Sequence, residues 1–272
     1  MKYSKSISML LLLLPIEAMA QFAWYGANGK AQVVTDLGNG THTEGIWFSF
    51  DDKNDRGESS IVFLDSRGDT PTDQDVKTYG GIKGEITLKY GNSMYTRAGL
   101  GFNVVGEKEP WVPEEGDASA WGGISIGYKS DRMITVELGL PAEIDHAIGY
   151  ANPQYYLSAR NTETFVRIPW SSFKQPDWAP SSCDRITGPE AAKKLVALKF
   201  YMGGDEGTYS FLITKVGSYD MAEMPPVTSG CSSLNADIDD NGGWYTLSGV
   251  QLRNQPTDRG VYIHNGQKVV VK

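Results

Sequence analysis

Cysteine is nearly missing from this chain: Cys183 and Cys231 are the only two in 272 residues. That excludes a disulfide-stapled miniature fold and a cysteine-based zinc ribbon. The three histidines, His42, His146 and His264, are scattered, without the spacing of a Ser-His-Asp triad or a zinc site. No phosphate-cradling loop or dinucleotide fingerprint is present; Gly99-Leu100-Gly101-Phe102 has two glycines and lies between strands. Basic residues are outnumbered 25 to 33, the formal charge is −8 and the pI is about 5.0. An acidic surface argues against nucleic acid and anionic membrane as partners and is compatible with neutral polysaccharide. Long amphipathic helical stretches are almost absent too.

The one sustained apolar run lies at the start. Lys2 and Lys5 precede it, residues 10–14 form its centre, and Ala18-Met19-Ala20 has the small-x-small form of a cleavage site. The run is too short to span a bilayer, and no cysteine follows it as a lipid anchor would require. The expectation is a signal peptide over 1–20, Gln21 as the mature N-terminus, and a protein secreted or held at the outer-membrane surface. Cleavage removes two lysines and Glu17, moving the formal charge from −8 to −9. The remaining chain of about 252 residues suits one large β domain with an appendage. An oxidising compartment permits a Cys183–Cys231 disulfide; two unrelated buried thiols are the alternative, since sequence does not supply the Cα separation.

Short alternating or β-branched runs recur along 21–220, at 32–36, 46–50, 61–64, 84–90, 100–105, 122–128, 134–140, 155–159, 164–169, 196–201 and 209–216. Turn residues separate nearly all of them, which predicts an all-β sandwich or barrel. One helical turn is expected at 189–194, with Pro189 suited to a helix's first position. Residues 221–242 read as a linker rich in Pro, Ser, Thr and Gly. Residues 243–272 read as a separate small β unit, with strands in 244–249, 260–263 and 268–272 and an Asn265-Gly266 turn.

The most informative stretch is 165–178. An alternating strand ends in Ile168-Pro169-Trp170-Ser171-Ser172-Phe173, and a polar loop follows with Lys174, Asp177 and Trp178. This order of parts resembles family 11 carbohydrate-binding modules and the wider galactose-binding-like jelly rolls. The similarity covers roughly 22–219 and is clearest over 121–219. It implies a jelly-roll β-sandwich that binds glycans without cutting them. Lys174 loosely fills the family's basic position, and Asp177 and Trp178 match its Asp-Tyr pair, with the loop one residue shorter. The next strand, Lys199-Phe200-Tyr201-Met202, carries Tyr201 one position away from the family's ligand tyrosine. One position reverses the face, so Met202 is the rival for the ligand side. Residues 91–95, with Tyr95, and Trp47-Phe48-Ser49-Phe50-Asp51-Asp52 also resemble segments of such modules. Residues 243–272 resemble the sorting domains of the type IX secretion route in Bacteroidetes-like bacteria, which implies secretion machinery as a partner.

A sugar ring offers an apolar C–H face to aromatics and a fringe of hydroxyls to carboxylates, amides and guanidinium groups. The predicted ligand residues are Trp178, Asp177, Tyr201, Tyr155, Tyr95 and Lys174. Of Tyr155 and Tyr156, one must face outward. Trp170, Trp121, Phe102 and Phe200 read as core, and Trp111 as a rim contact or a local staple. Asp51, Asp52 and Asp55, with Glu58, offer hard oxygens for a structural Ca²⁺; a solvated hairpin loop is the plainer reading. Residues 237–242 match the start of a calcium loop, but Ser248 stands where its final Glu belongs, so a linker turn is the better reading. No acidic residue stands in a recognisable hydrolase motif. The function expected is an exported, non-enzymatic binder of a plant-type β-glucan or related polysaccharide. The rivals are a surface structural or adhesion protein with a degenerate sandwich and, less favoured, a glycan-active enzyme.

Overall fold

The computed structural model of the protein describes residues 22–64, 70–223, 244–246, 251–252, 254–257, 259–264 and 267–271. The chain divides into two compact units, one ending at Pro225 and the other beginning at Pro226. In the first, the strands are β1 (Ala23–Tyr25), β2 (Trp47–Asp51), β3 (Ser60–Phe63), β4 (Ile82–Leu88), β5 (Arg97–Asn103), β6 (Glu107–Glu109) and β7 (Val112–Pro113). They continue as β8 (Gly123–Ser130), β9 (Ile134–Gly139), β10 (Gln154–Leu157), β11 (Arg160–Pro169), β12 (Ala197–Gly203) and β13 (Gly207–Ser218). Three short helices join them: α1 (Asp73–Tyr79), α2 (Ala142–Ala147) and α3 (Gly188–Ala192).

Two antiparallel sheets face each other. One runs β11-β8-β13-β4-β3 with β1 beside β13; the other runs β10-β9-β12-β5-β2. The chain passes repeatedly from one sheet to the other, which makes this an all-β jelly-roll sandwich. Residue alternation drives it. In β4, Ile82, Gly84, Ile86 and Leu88 are buried while Lys83, Glu85 and Thr87 between them are half-exposed. In β12, Leu198, Phe200 and Met202 point into the sandwich. An aromatic cluster fills the space between the sheets: the Trp47 ring lies 4.9 Å from Phe102, 5.9 Å from Phe200 and 5.8 Å from Trp24. Burying each such ring stabilises the fold by roughly 1.5–3 kcal/mol. Trp47 also donates its indole N–H to the Ala31 carbonyl at 2.8 Å, so no polar atom of that ring is stranded. Trp170, Trp121, Phe102 and Phe200 are all core, as their spacing predicts.

Two expectations change. The alternation over 32–36 produces alternating burial, with Val33 and Thr35 inside and Gln32 and Val34 outside, but no ladder partner. Its polar groups pair outside a ladder: Val33 N–H donates to Gly45 and the Thr35 hydroxyl to Val104. Alternation reports burial, and pairing is a separate condition. Helix α1 was absent from the expected elements, although Thr72 and Asp75 form a reciprocal capping box and Gly80 closes it in the left-handed region. The same device starts α3, where Thr187 and Glu190 cap each other and Pro189 sits in the first turn.

The second unit is a four-stranded antiparallel sheet of β14 (Trp244–Thr246), β15 (Gln251–Leu252), β16 (Gly260–His264) and β17 (Gln267–Val271), in the order β15-β14-β16-β17. Trp244 and His264 are stacked, with centroids 4.4 Å apart and planes 9° from parallel. The expected signal peptide, most of the expected linker, Cys231, residues 237–242 and the 265–266 turn lie outside the described residues.

Candidate functional site

The outward face of the β10-β9-β12-β5-β2 sheet can be written down from strand register. Because Trp47 points in, Phe48 and Phe50 of β2 point out. Phe50 pairs with Gly99, Gly99 with Tyr201, Tyr201 with Thr135, and Thr135 with Tyr156. The adjacent row runs Phe48, Gly101, Lys199, Glu137 and Gln154, and an isolated bridge adds Lys174 beyond Gln154. Four aromatic rings therefore flank a polar centre on one outward face, with Tyr156 exposed, Phe48, Phe50 and Tyr201 half-buried, and Thr135, Glu137 and Gln154 buried beneath them. By contrast, the outward residues of β4 on the opposite sheet are Lys83, Glu85 and Thr87.

The polar centre is tightly organised. Glu137 accepts from Arg97 Nη2 at 3.0 Å and pairs with Lys199 Nζ at 3.2 Å, and its side chain is only 7% exposed. The Arg97 guanidinium lies over the Tyr201 ring at 4.3 Å and the Phe50 ring at 5.2 Å. The Tyr201 hydroxyl donates to Gln154 Oε1 at 2.9 Å, and Gln154 Nε2 donates to the Tyr156 hydroxyl. Burial, reinforced by the Glu137 charge, pushes the Tyr201 phenol up to about 12, so it keeps its proton across the physiological range. Gly99 is required beneath this ring: a Cβ there would stand 2.2 Å from the Phe200 carbonyl oxygen and 2.5 Å from the Tyr201 Cβ. Rings for C–H faces thus sit beside fixed donors and acceptors for hydroxyls, which is the chemistry of a neutral sugar site.

Of the residues expected from sequence, Tyr201 and Lys174 lie on this face. Tyr95 sits just ahead of β5, with its hydroxyl hydrogen-bonded to Asp55 and its phenol within the field of Arg97; the Asp55 bond raises its pKa. Asp177 and Trp178 are exposed in the turn that follows Lys174, at the β10 edge rather than over the centre. Tyr155 is a correction. It shares a face with Leu157, packs on the core and stands 6.0 Å from the Phe173 ring, so Tyr156 is the outward tyrosine. Met202 as the ligand-facing alternative is also corrected, since it is fully buried between the sheets.

Asp51, Asp52 and Asp55 do not converge. The Asp52 carboxylate is buried and takes Ser59 N–H at 2.9 Å, the Ser59 hydroxyl at 2.7 Å and Arg97 N–H at 2.8 Å. Asp51 pairs with Lys53 at 2.5 Å, and Asp55 holds Tyr95. Among the described residues no three His, Cys, Asp or Glu side chains are gathered as a metal site. Calcium there would have to displace donors already in place. Cys183 is half-buried beside Gly149, and its expected partner Cys231 lies outside the described residues.

Sequence reading missed Phe48, Phe50, Arg97, Glu137, Gln154, Tyr156, Lys199 and Asp145. The signal was there in Ile134-Thr135-Val136-Glu137-Leu138, whose strict alternation sets Glu137 outward in mid-strand. Asp145 on α2 accepts from Asn152 Nδ2 at 2.5 Å and lies within the field of Lys199, Glu137 and Arg97. Burial raises its pKa. A raised carboxyl means that the folded state holds the proton more tightly than the unfolded state, so stability falls as pH climbs from 3.8 through the folded value. Asp145→Asn therefore raises the melting temperature at neutral pH, and the gain vanishes below pH 3.8; thermal melts across pH check this. A gain that persists at low pH would remove the charge as its cause.

No family profile matches the chain, and no curated protein matches it. Solved structures do. One is the family 11 carbohydrate-binding module of the cellulosomal cellulase Lic26A-Cel5E of Clostridium thermocellum, at 16% identity over 69% of this chain and 94% of that one, with a TM-score of 0.38. A solution structure of CtCBM11 matches at 14% identity over 76% and 99%, with a TM-score of 0.38. An exo-β-agarase matches at 10% identity over 65% and 25%, with a TM-score of 0.28. At such distances the site rests on its own residues. No helix among the described residues is long and apolar enough to cross a membrane.

Proposed function

We propose that the outward face of the β10-β9-β12-β5-β2 sheet binds a neutral polysaccharide of the β-glucan class and does not cleave it. One observation carries this: Phe48, Phe50, Tyr201 and Tyr156 frame the Arg97–Glu137–Lys199 centre on a single outward face of the sheet. Stacking supplies affinity, and the central charges and amides fix the hydroxyls. Lys174 extends the polar row, while Tyr95 and the Asp177–Trp178 turn are rim contacts. The β-glucan preference rests on the resemblance over 165–178. Export by the leader and delivery by the C-terminal unit through a type IX-like route belong to the same reading.

Cleavage is disfavoured by the state of Glu137. Its carboxylate is buried and already engaged by Arg97 and Lys199, which leaves no open carboxylate pair facing a bound chain at this centre. A structural or adhesive role has one observation in its favour: most polar groups of the face already bond to each other, Arg97 Nε being the exception.

Affinity electrophoresis of the mature chain in gels containing barley β-glucan, xyloglucan, xylan or mannan separates these readings. We expect retardation in β-glucan, no release of reducing sugar and the same mobility with EDTA. Unretarded migration in all four gels would favour the adhesive role, and loss with EDTA would restore calcium at the 51–55 turn.

A further inference from the structure

The hairpin of β6 and β7 is built to hold one side chain out. Trp111 at its tip is 91% exposed, and its φ of 67° places a bulky residue in the left-handed region, a conformation that costs free energy and persists only when the surroundings impose it. They do so at the hairpin's base. Glu114 N–H donates to the Gly106 carbonyl at 2.8 Å, Glu107 N–H donates to the Thr43 hydroxyl at 2.9 Å, and Asn39 Nδ2 donates to Glu114 Oε2 at 3.0 Å. Trp111 N–H itself donates to Glu107 Oε2 at 3.3 Å. An indole held at such cost, with its face in solvent, does nothing for the core.

Trp111 lines two clefts. One is bounded by residues 41–43 and the hairpin, the other by Pro113, Leu140, Glu143, Asp145 and Val196. The second adjoins the sheet's outward face. Asp145 lies within the field of Lys199 and Glu137 on one side and lines the cleft on the other. The next row of the sheet, Ala197 and Gly139, is buried, so Asp145 is the residue the two surfaces share. The lining is acidic on balance, with Glu114, Glu115, Glu143 and Asp145 against Lys108, and Glu115 is paired with Lys194; this disfavours uronate or sulfated chains and suits uncharged hydroxyls.

We propose that this cleft is a second, outlying subsite, in which a neutral glycan chain leaving the Tyr201 face continues past Asp145 and stacks a further ring on Trp111. The proposal rests on the face as the primary site and adds the length of chain recognised. It predicts that Trp111 discriminates long chains from short ones.

Isothermal titration of the full chain with cellotetraose and with barley β-glucan tests it, using the wild type, Trp111→Ala, Trp111→Phe and Tyr201→Ala. Trp111→Ala should weaken the polymer about tenfold, the equivalent of about 1.4 kcal/mol, and leave the tetrasaccharide within about twofold. Trp111→Phe should recover most of the loss. If Trp111→Ala changes neither ligand while Tyr201→Ala weakens both, the hairpin subsite is wrong and the face stands. Equal weakening of both ligands by Trp111→Ala would also overturn the outlying position. If the wild type binds neither, or Tyr201→Ala changes nothing, the face reading falls and the subsite with it.

Discussion

Replacing Asp52 with alanine lowers the free energy of unfolding by about 4 kcal/mol. Its carboxylate is 1% exposed and gathers three donors, two of them backbone N–H groups of Ser59 and Arg97. Hydrogen bonds to a charged acceptor contribute roughly 1.5–3 kcal/mol each, and a buried N–H stripped of its acceptor pays its full desolvation cost. The chain has arranged itself around this group. Gly57 passes so close that a Cβ would stand 2.1 Å from the Asp52 Cγ. The network ties the loop before β3 to the first residue of β5, bridging the two sheets, and so sets where Arg97 enters the outward face. Urea denaturation checks the expectation: the midpoint should fall with the slope unchanged. Asp52→Asn keeps the shape but presents donors to donors, and should recover little. An unchanged midpoint in the alanine variant would mean that the turn holds without its carboxylate.

Tyr201→Ala should reduce affinity for the bound glycan by about 30- to 100-fold, the size expected of a central aromatic anchor. On the proposed reading the ring would be a platform for sugar; it also supports Arg97 at 4.3 Å, and its hydroxyl orients Gln154. Removing it frees the guanidinium from one of its two rings and breaks the start of the Tyr201–Gln154–Tyr156 chain. Tyr201→Phe separates these effects: stacking stays, the hydroxyl goes, and affinity should fall no more than about fivefold. Calorimetry alongside a thermal melt shows whether lost binding comes with a folded protein. A folded alanine variant with wild-type affinity would take Tyr201 out of the site.

Much of the sandwich was legible because its strands alternate. Leu198, Phe200 and Met202 against Lys199 and Tyr201 state which side of β12 faces the core, and Ile134, Val136 and Leu138 do the same for β9, although all of its residues are buried. Strand phase decides between the two adjacent tyrosines, and the choice of Tyr155 did not use it. Leu157 is apolar and two residues on, so Tyr155 goes inward with it. What sequence could not supply was the pairing. Phe50, Gly99, Tyr201, Thr135 and Tyr156 become neighbours only through strand order, across more than a hundred residues of chain. The aspartates of 51–55 turn on pairing as well. A cluster in sequence resembles a cation site until each carboxylate is matched with its own donor, and here Ser59, Arg97, Lys53 and Tyr95 are those donors.

The central claim is that one particular face of one sheet meets the glycan. Amide chemical shifts of the full chain, followed while a soluble β-glucan oligosaccharide is titrated in, address it directly. The account predicts perturbations concentrated at Phe48, Phe50, Gly99, Thr135, Tyr156, Lys199 and Tyr201, with β4 and β13 of the opposite sheet unmoved. Saturable perturbations centred instead on Lys83, Glu85 and Thr87, or none at the rows around Tyr201, would contradict it.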